Sequence, residues 1–136
     1  MNAANRSLLG GGGIDGAIHA AAGHGLYQEC RTLGGCDTGH TKLTGGHRLP
    51  CKHILHTVGP VGENPSALKS CYQTCMELAE KSQIRSVAFC CISTGIYGYP
   101  AGPAAKIALT TVRRYLEKHR DSVCNLNCTF YLIMSV

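Results

Sequence analysis

An α/β fold, with helices on both faces of a mixed, partly parallel sheet, follows from three observations in this 136-residue sequence. Strand-like apolar runs at 52–58 (KHILHTV) and 86–92 (SVAFCCI) alternate with two long stretches whose apolar residues recur at helical spacing. Two glycine-bearing loops each follow a strand-like segment and lead into a helix, the connection expected between neighbouring parallel strands. With 44% hydrophobic and 15% charged residues, the chain reads as one globular domain over 1–136, large enough for a single core.

Residues 1–5 read as the tail of a strand, followed by the glycine loop and an alanine-rich helix starting near Asp15 and running to Ala22. A second short helix is expected over 27–33, after Gly23 and Gly25, and 34–39 is a turn. The strand at 52–58 is stopped by Gly59-Pro60. Asn64 and Pro65 then open a helix to about Ser82, because Asn caps a first turn and Pro fits its first position. Its buried stripe is Leu68, Cys71, Tyr72, Cys75, Leu78 and Ala79. The run at 86–92 suits a strand covered on both faces. A helix from Pro103 to about His119 presents Ala104, Ala108, Val112, Tyr115 and Leu116 on one side, and 127–135 (NCTFYLIMS) closes the chain as a strand.

The net charge of +5 is spread along the chain, so no dedicated nucleic-acid stripe is expected, and the absence of Trp leaves few stacking platforms. No apolar run is long enough to span a bilayer and no signal-like segment opens the sequence, so an intracellular protein without membrane contact is expected. Nine cysteines, an odd number, argue against a disulfide framework. The Cys71/Cys75 and Cys124/Cys128 spacings lack the histidines of a zinc finger, and Cys71 and Cys75 are expected as small buried hydrophobes.

The chemistry concentrates at the first loop. Gly10, Gly11, Gly12 and Gly13 leave backbone N–H groups unshielded by any Cβ, and the helix that follows adds donors and the positive end of its dipole. Asp15 and His19, four apart, share one helix face. Gly11-x-Gly13-x-x-Gly16 formally matches a dinucleotide fingerprint, but Glu29, the acid near the required distance, falls within a helix rather than at a strand end. A Walker loop is excluded, since no Gly-Lys-Ser/Thr closes the run. The second loop sets Ser93, Thr94, Gly95, Ile96, Tyr97 and Gly98 after a strand, so the two loops are placed to grip a diphosphate from either side.

Asn2-Ala3-Ala4-Asn5, the Gly10–Gly16 loop with Asp15, and residues 92–100 (ISTGIYGYP) resemble the defining motifs of macrodomains. Residues 30–33 (CRTL), 44–50 (TGGHRLP) and 56–60 (HTVGP) extend the likeness, and 35–40 (GCDTGH) is similar to the MacroD-type branch. The resemblance runs from Asn2 to about His119. It implies a three-layer α/β/α fold and an ADP-ribose-binding hydrolase. Such an enzyme removes single ADP-ribose groups from acidic side chains of proteins and deacetylates O-acetyl-ADP-ribose, without metal or cofactor. It further implies a monomer of the nucleus and/or cytoplasm, with a role in the DNA damage response, whose partners are ADP-ribose, O-acetyl-ADP-ribose and mono-ADP-ribosylated proteins.

Carried over by position, Gly10, Gly11, Gly12, Gly13 and Ile14 hold the phosphates and distal ribose. Residues 93–98 cover the diphosphate, with Tyr97 against the distal ribose. Asn5 hydrogen-bonds that ribose, Asp15 orients the ribose or the attacking water, His19 supports the site, and Phe130 packs near the adenine. The family's fold begins upstream of the Asn-Ala-Ala-Asn motif, with an Asp-Ile pair against the adenine, and closes with a helix after the Phe130 position. Here Met1 directly precedes Asn2 and the sequence ends at Val136, so a shortened domain lacking the upstream strands is expected. Two alternatives stay open beside the hydrolase: a module that binds ADP-ribose without turnover, and an inactive fragment.

Overall fold

The computed structural model describes residues 1–120 and 126–130. Strand β1 (Asn2–Ala4) leads through the glycine loop into α1 (Gly13–Ala22), and α2 (His24–Thr32) follows after one residue. Then come β2 (Thr41–Gly45), β3 (His53–Val58), α3 (Pro65–Lys81), β4 (Ser86–Phe89), α4 (Ala101–Lys118) and β5 (Asn127–Phe130).

The sheet is mixed. β3 lies between β1, which runs parallel to it with Ala3 opposite Thr57, and β2, which runs antiparallel with Leu43 opposite Leu55. β4 and β5 form a second, parallel pair in which Val87 faces Cys128. The Met1 amine donates to the Ala88 carbonyl at 2.6 Å and ties β1 to β4. Beside that contact, a cleft of about 880 Å³ separates the start of β3 from β4, with Met1, Leu55 and Ala88 on its walls.

Two apolar layers sandwich β3. Ile54 and Val58 pack with Leu8, Leu26 and Cys30 on the α1–α2 side. Leu55 packs with Leu68, Tyr72, Met76, Val112 and Tyr115 on the α3–α4 side. β3 is therefore the strand covered on both faces, although it carries two histidines and a threonine. The expectation that 86–92 would be covered on both faces is corrected. In β4, Val87 and Phe89 are buried while Ser86 and Ala88 are exposed, because the outer face borders the cleft rather than a helix. The strand also stops at Phe89, three residues early.

Helix boundaries shift in ways local chemistry explains. α1 starts at Gly13 rather than Asp15, using the loop's last glycine as its first helical residue. α2 starts at His24, immediately after Gly23, and α4 starts at Ala101, two residues before Pro103. α3 begins as expected: Pro65 is its first residue and the Asn64 side chain accepts from Ala67 N at 3.0 Å. Cys71 and Cys75 lie fully buried in the core as small hydrophobes. β2 was not anticipated, since TKLTG shows no apolar alternation and buries only Thr44. Of the closing strand, 131–135 lies outside the described residues, as does Cys124.

Candidate functional site

The first loop is held from within. The Asn5 side chain donates to the Gly10 carbonyl at 2.8 Å and accepts from Ser7 N at 3.0 Å and Ser7 Oγ at 2.7 Å, an Asx-type turn that fixes the entry into the glycines. The loop ends at Gly12, which caps α1 without any side-chain hydrogen bond, so the first-turn N–H groups face the loop with no side-chain acceptor. Those donors and the dipole make this end of α1 suited to an anion.

The second loop leans over the first. Ser93 sits at φ +63°, and its carbonyl accepts from Tyr99 N at 2.8 Å. Gly62 N donates to the Tyr97 carbonyl at 2.7 Å, tying the loop to the turn after β3. Ile96 is 80% exposed at its tip. Between the loops lies a pocket of about 220 Å³.

Asp15 is 3% exposed and projects from the first turn of α1 into this pocket. Its Oδ1 accepts from Asn2 Nδ2 at 2.8 Å and lies 3.6 Å from His19 Nε2, beyond hydrogen-bond reach. Its Oδ2 is buried with no hydrogen-bond partner, as is Ser93 Oγ. Two unpartnered acceptor-bearing side chains on one pocket wall are uncommon in a settled core, and a ligand hydroxyl or a water would satisfy them.

Behind Asp15 the polar network continues. Asn2 Nδ2 also reaches His56 Nδ1 at 3.1 Å, and His56 Nε2 meets Thr44 Oγ1 at 2.9 Å. Burial, with smaller contributions from His19 and the N-terminal amine, lowers the His56 pKa to about 4 from an ordinary value near 6.5. Between those values the unfolded chain carries a proton that the folded chain does not, so stability rises with pH there and is lost on acidification. We expect the stability of the wild type relative to His56→Phe to fall by about 3 kcal/mol between pH 7 and pH 4. Urea unfolding across that range checks it, and a constant difference would contradict it.

Among the described residues, His19, Cys30 and His56 bring potential metal ligands within 4.8 Å of one another. Both ring nitrogens of His56 are already hydrogen-bonded, and burial raises the Cys30 thiol to about 11. The donor set is therefore a poor one for a cation.

Of the residues singled out in the sequence, Asn5, Gly11, Gly12, Gly13, Ile14, Asp15, Ser93, Gly95, Ile96 and Tyr97 lie together on the pocket wall. His19 stands one turn behind Asp15. Gly10, Thr94 and Gly98 belong to the loops but not to the wall. Phe130 lies elsewhere, stacked on Phe89 with ring centroids 5.0 Å apart. Two features went unread: the Asn2–His56–Thr44 network and Gly59. A Cβ on Gly59 would fall 2.2 Å from Ser93 Oγ and 2.5 Å from Ile92 Cγ2, so this glycine lets the second loop close. The sequence signalled these residues only through the Asn-Ala-Ala-Asn, Thr-Gly-Gly-His-Arg-Leu-Pro and His-Thr-Val-Gly-Pro motifs, and Gly59 through the strand stop it forms with Pro60, none of which disclosed these contacts.

The chain as a whole is similar to several known proteins. The chain matches the Macro domain family over residues 1–108. The ADP-ribose glycohydrolase MACROD2 of Xenopus laevis is 54% identical across 90% of this chain and 31% of its own length. The ADP-ribose glycohydrolase MACROD1 of Rattus norvegicus is 52% identical across 97% of this chain and 54% of its own length. The chain thus spans about a third to a half of these curated relatives. Among solved structures, the Trypanosoma brucei macrodomain in complex with ADP-ribose superposes with a TM-score of 0.93 at 51% identity, covering 98% of this chain and 56% of that one. The Oceanobacillus iheyensis macrodomain with ADP gives 0.87 at 39% identity, covering 97% and 75%.

Proposed function

This chain belongs to the macrodomain family, and from that premise we propose that it binds ADP-ribose between its two loops and hydrolyses ADP-ribosyl esters there. The observation that carries the reading is Asp15: a buried carboxylate with one oxygen held by Asn2 and the other unpartnered on the wall of a pocket closed by two backbone-rich loops.

The diphosphate lies between the first turn of α1 and residues 93–97, where N–H donors and the helix dipole meet its charge. The distal ribose sits over Gly11 and Asn5, against Tyr97. Asp15 Oδ2 then holds a ribose hydroxyl or a water, and the ligand's own phosphate shares the water-orienting task. Water adds its oxygen to the anomeric carbon, keeping one proton on the new hydroxyl and releasing the other to solvent; the ester C–O bond breaks, and the protein side chain leaves as a free carboxylate with ADP-ribose as the other product. Such a step needs a positioned water and stabilised charge more than a strong nucleophile. His19 supports the far side of the carboxylate.

The substrates are mono-ADP-ribosylated acidic side chains of proteins and O-acetyl-ADP-ribose, taken by a monomer of the nucleus or cytoplasm that acts in the DNA damage response. No helix among the described residues is long and apolar enough to cross a membrane. Incubation with a glutamate-modified protein tests the reading: ADP-ribose and unmodified protein are expected as products. ADP-ribose binding without release would instead identify a binding module.

A further inference from the structure

We propose that Asn2 and His56 are positioning residues that fix the Asp15 carboxylate through a buried hydrogen-bond relay crossing three strands; this rests on the hydrolase reading above. The relay starts on β2 and ends in α1. Thr44, His56 and Asn2 sit on β2, β3 and β1, and all are buried, with His56 and Asn2 fully so. Their side chains link into Asp15 at 2.9, 3.1 and 2.8 Å in turn.

Each direction in the relay is determined by the next. The Asp15 carboxylate only accepts, so the Asn2 amide must present its nitrogen; the reverse orientation would set carbonyl oxygen against carboxylate oxygen. The second N–H of the same amide points at His56 Nδ1, which must therefore accept. His56 is then the Nε2–H tautomer and donates to Thr44 Oγ1, which in turn donates to the Gly45 carbonyl at 3.1 Å. A charged ring would carry a proton on Nδ1, collide with the Asn2 donor and release the amide. Burial of His56 guards against that state and keeps the relay directional.

The consequence lies at the other end. Oδ1, the oxygen 3.6 Å from His19 Nε2, is held by Asn2, which leaves Oδ2, buried and without a partner, as the oxygen available to a ligand. Neither Asn2 nor His56 lines the pocket. Their effect on turnover passes through Asp15.

The test compares His56→Phe, which keeps the ring volume and removes the acceptor, with His56→Asn, whose Oδ1 stands in for Nδ1. His56→Phe is expected to lower kcat for ADP-ribose release about tenfold or more, with the ADP-ribose dissociation constant changed by less than about threefold. His56→Asn should recover most of that loss. The proposal is overturned if His56→Phe keeps its kcat, if His56→Asn loses as much as His56→Phe, or if binding weakens in parallel with turnover. Nitrogen-15 NMR of the wild-type ring at pH 7 provides the measurement that needs no variant. A neutral Nε2–H ring is expected, and an Nδ1–H or charged ring overturns the relay even if neither variant folds. A wild type without turnover would sink the hydrolase reading instead, and the tautomer would still decide the relay.

Discussion

Asp15→Ala should lower the release of ADP-ribose from a glutamate-modified protein by at least about a hundredfold, the scale of losing a positioned acid–base group. Affinity for ADP-ribose should change far less, because the donors proposed to meet the diphosphate are backbone N–H groups of α1 and the loops rather than the carboxylate. The substitution also removes a buried acceptor, leaving the Asn2 N–H without its partner, so a modest loss of stability accompanies it. Steady-state release measured beside calorimetric binding separates the two effects. A variant retaining a tenth or more of wild-type turnover would remove Asp15 from the chemistry.

Gly16→Ala should damage the site by a different route. Inside a helix, exchanging Gly for Ala ordinarily stabilises by about 1 kcal/mol. Here the new Cβ would lie 2.3 Å from the Gly11 carbonyl oxygen, a backbone atom of the glycine loop. Relieving that overlap means moving the loop or the first turn of α1, at a cost of about 1–3 kcal/mol, so steric strain outweighs propensity. The displaced segment carries the N–H groups proposed to meet the ligand. ADP-ribose affinity is therefore expected to fall at least about thirtyfold, equivalent to about 2 kcal/mol, with a lowered Tm. An Ala variant that melts higher and binds as before would show that the loop is looser than its geometry implies.

The parts of the fold that the sequence disclosed are those whose causes are local. Asn64-Pro65 caps and starts α3 through contacts within four residues. The glycine loop is readable because four glycines and an uncapped helix start lie consecutively. β2 was hidden because what makes it a strand is its partner: Thr41–Gly45 is ordered against β3, and its one buried side chain, Thr44, is polar. The outer face of β4 was misjudged for a related reason. SVAFCCI is apolar throughout, and only the cleft beside Ala88 reveals that one face is uncovered.

The same division runs through the site. Asp15 and His19 are four residues apart, and their shared helix face could be read directly. Asn2 and His56 are 54 residues apart, so their contact emerges only once β1 pairs with β3. In KHILHTV, His56 reads as one polar residue in an apolar strand; its meaning comes from Thr44 on one side and Asn2 on the other. Phe130 was placed near the ligand by analogy alone; its ring stacks on Phe89 and lies tilted against Tyr72, beside the α3-side core.

The central claim is that the ligand site lies between the two loops and not in the larger cleft between β3 and β4. Amide NMR titration of the 136-residue chain with ADP-ribose tests this most directly. Saturable shifts are expected together at residues 11–14 and at Ser93, Gly95, Ile96 and Tyr97, on the two sides of the pocket. Shifts confined to residues 82–88 beside the larger cleft, or none at either loop, would contradict it.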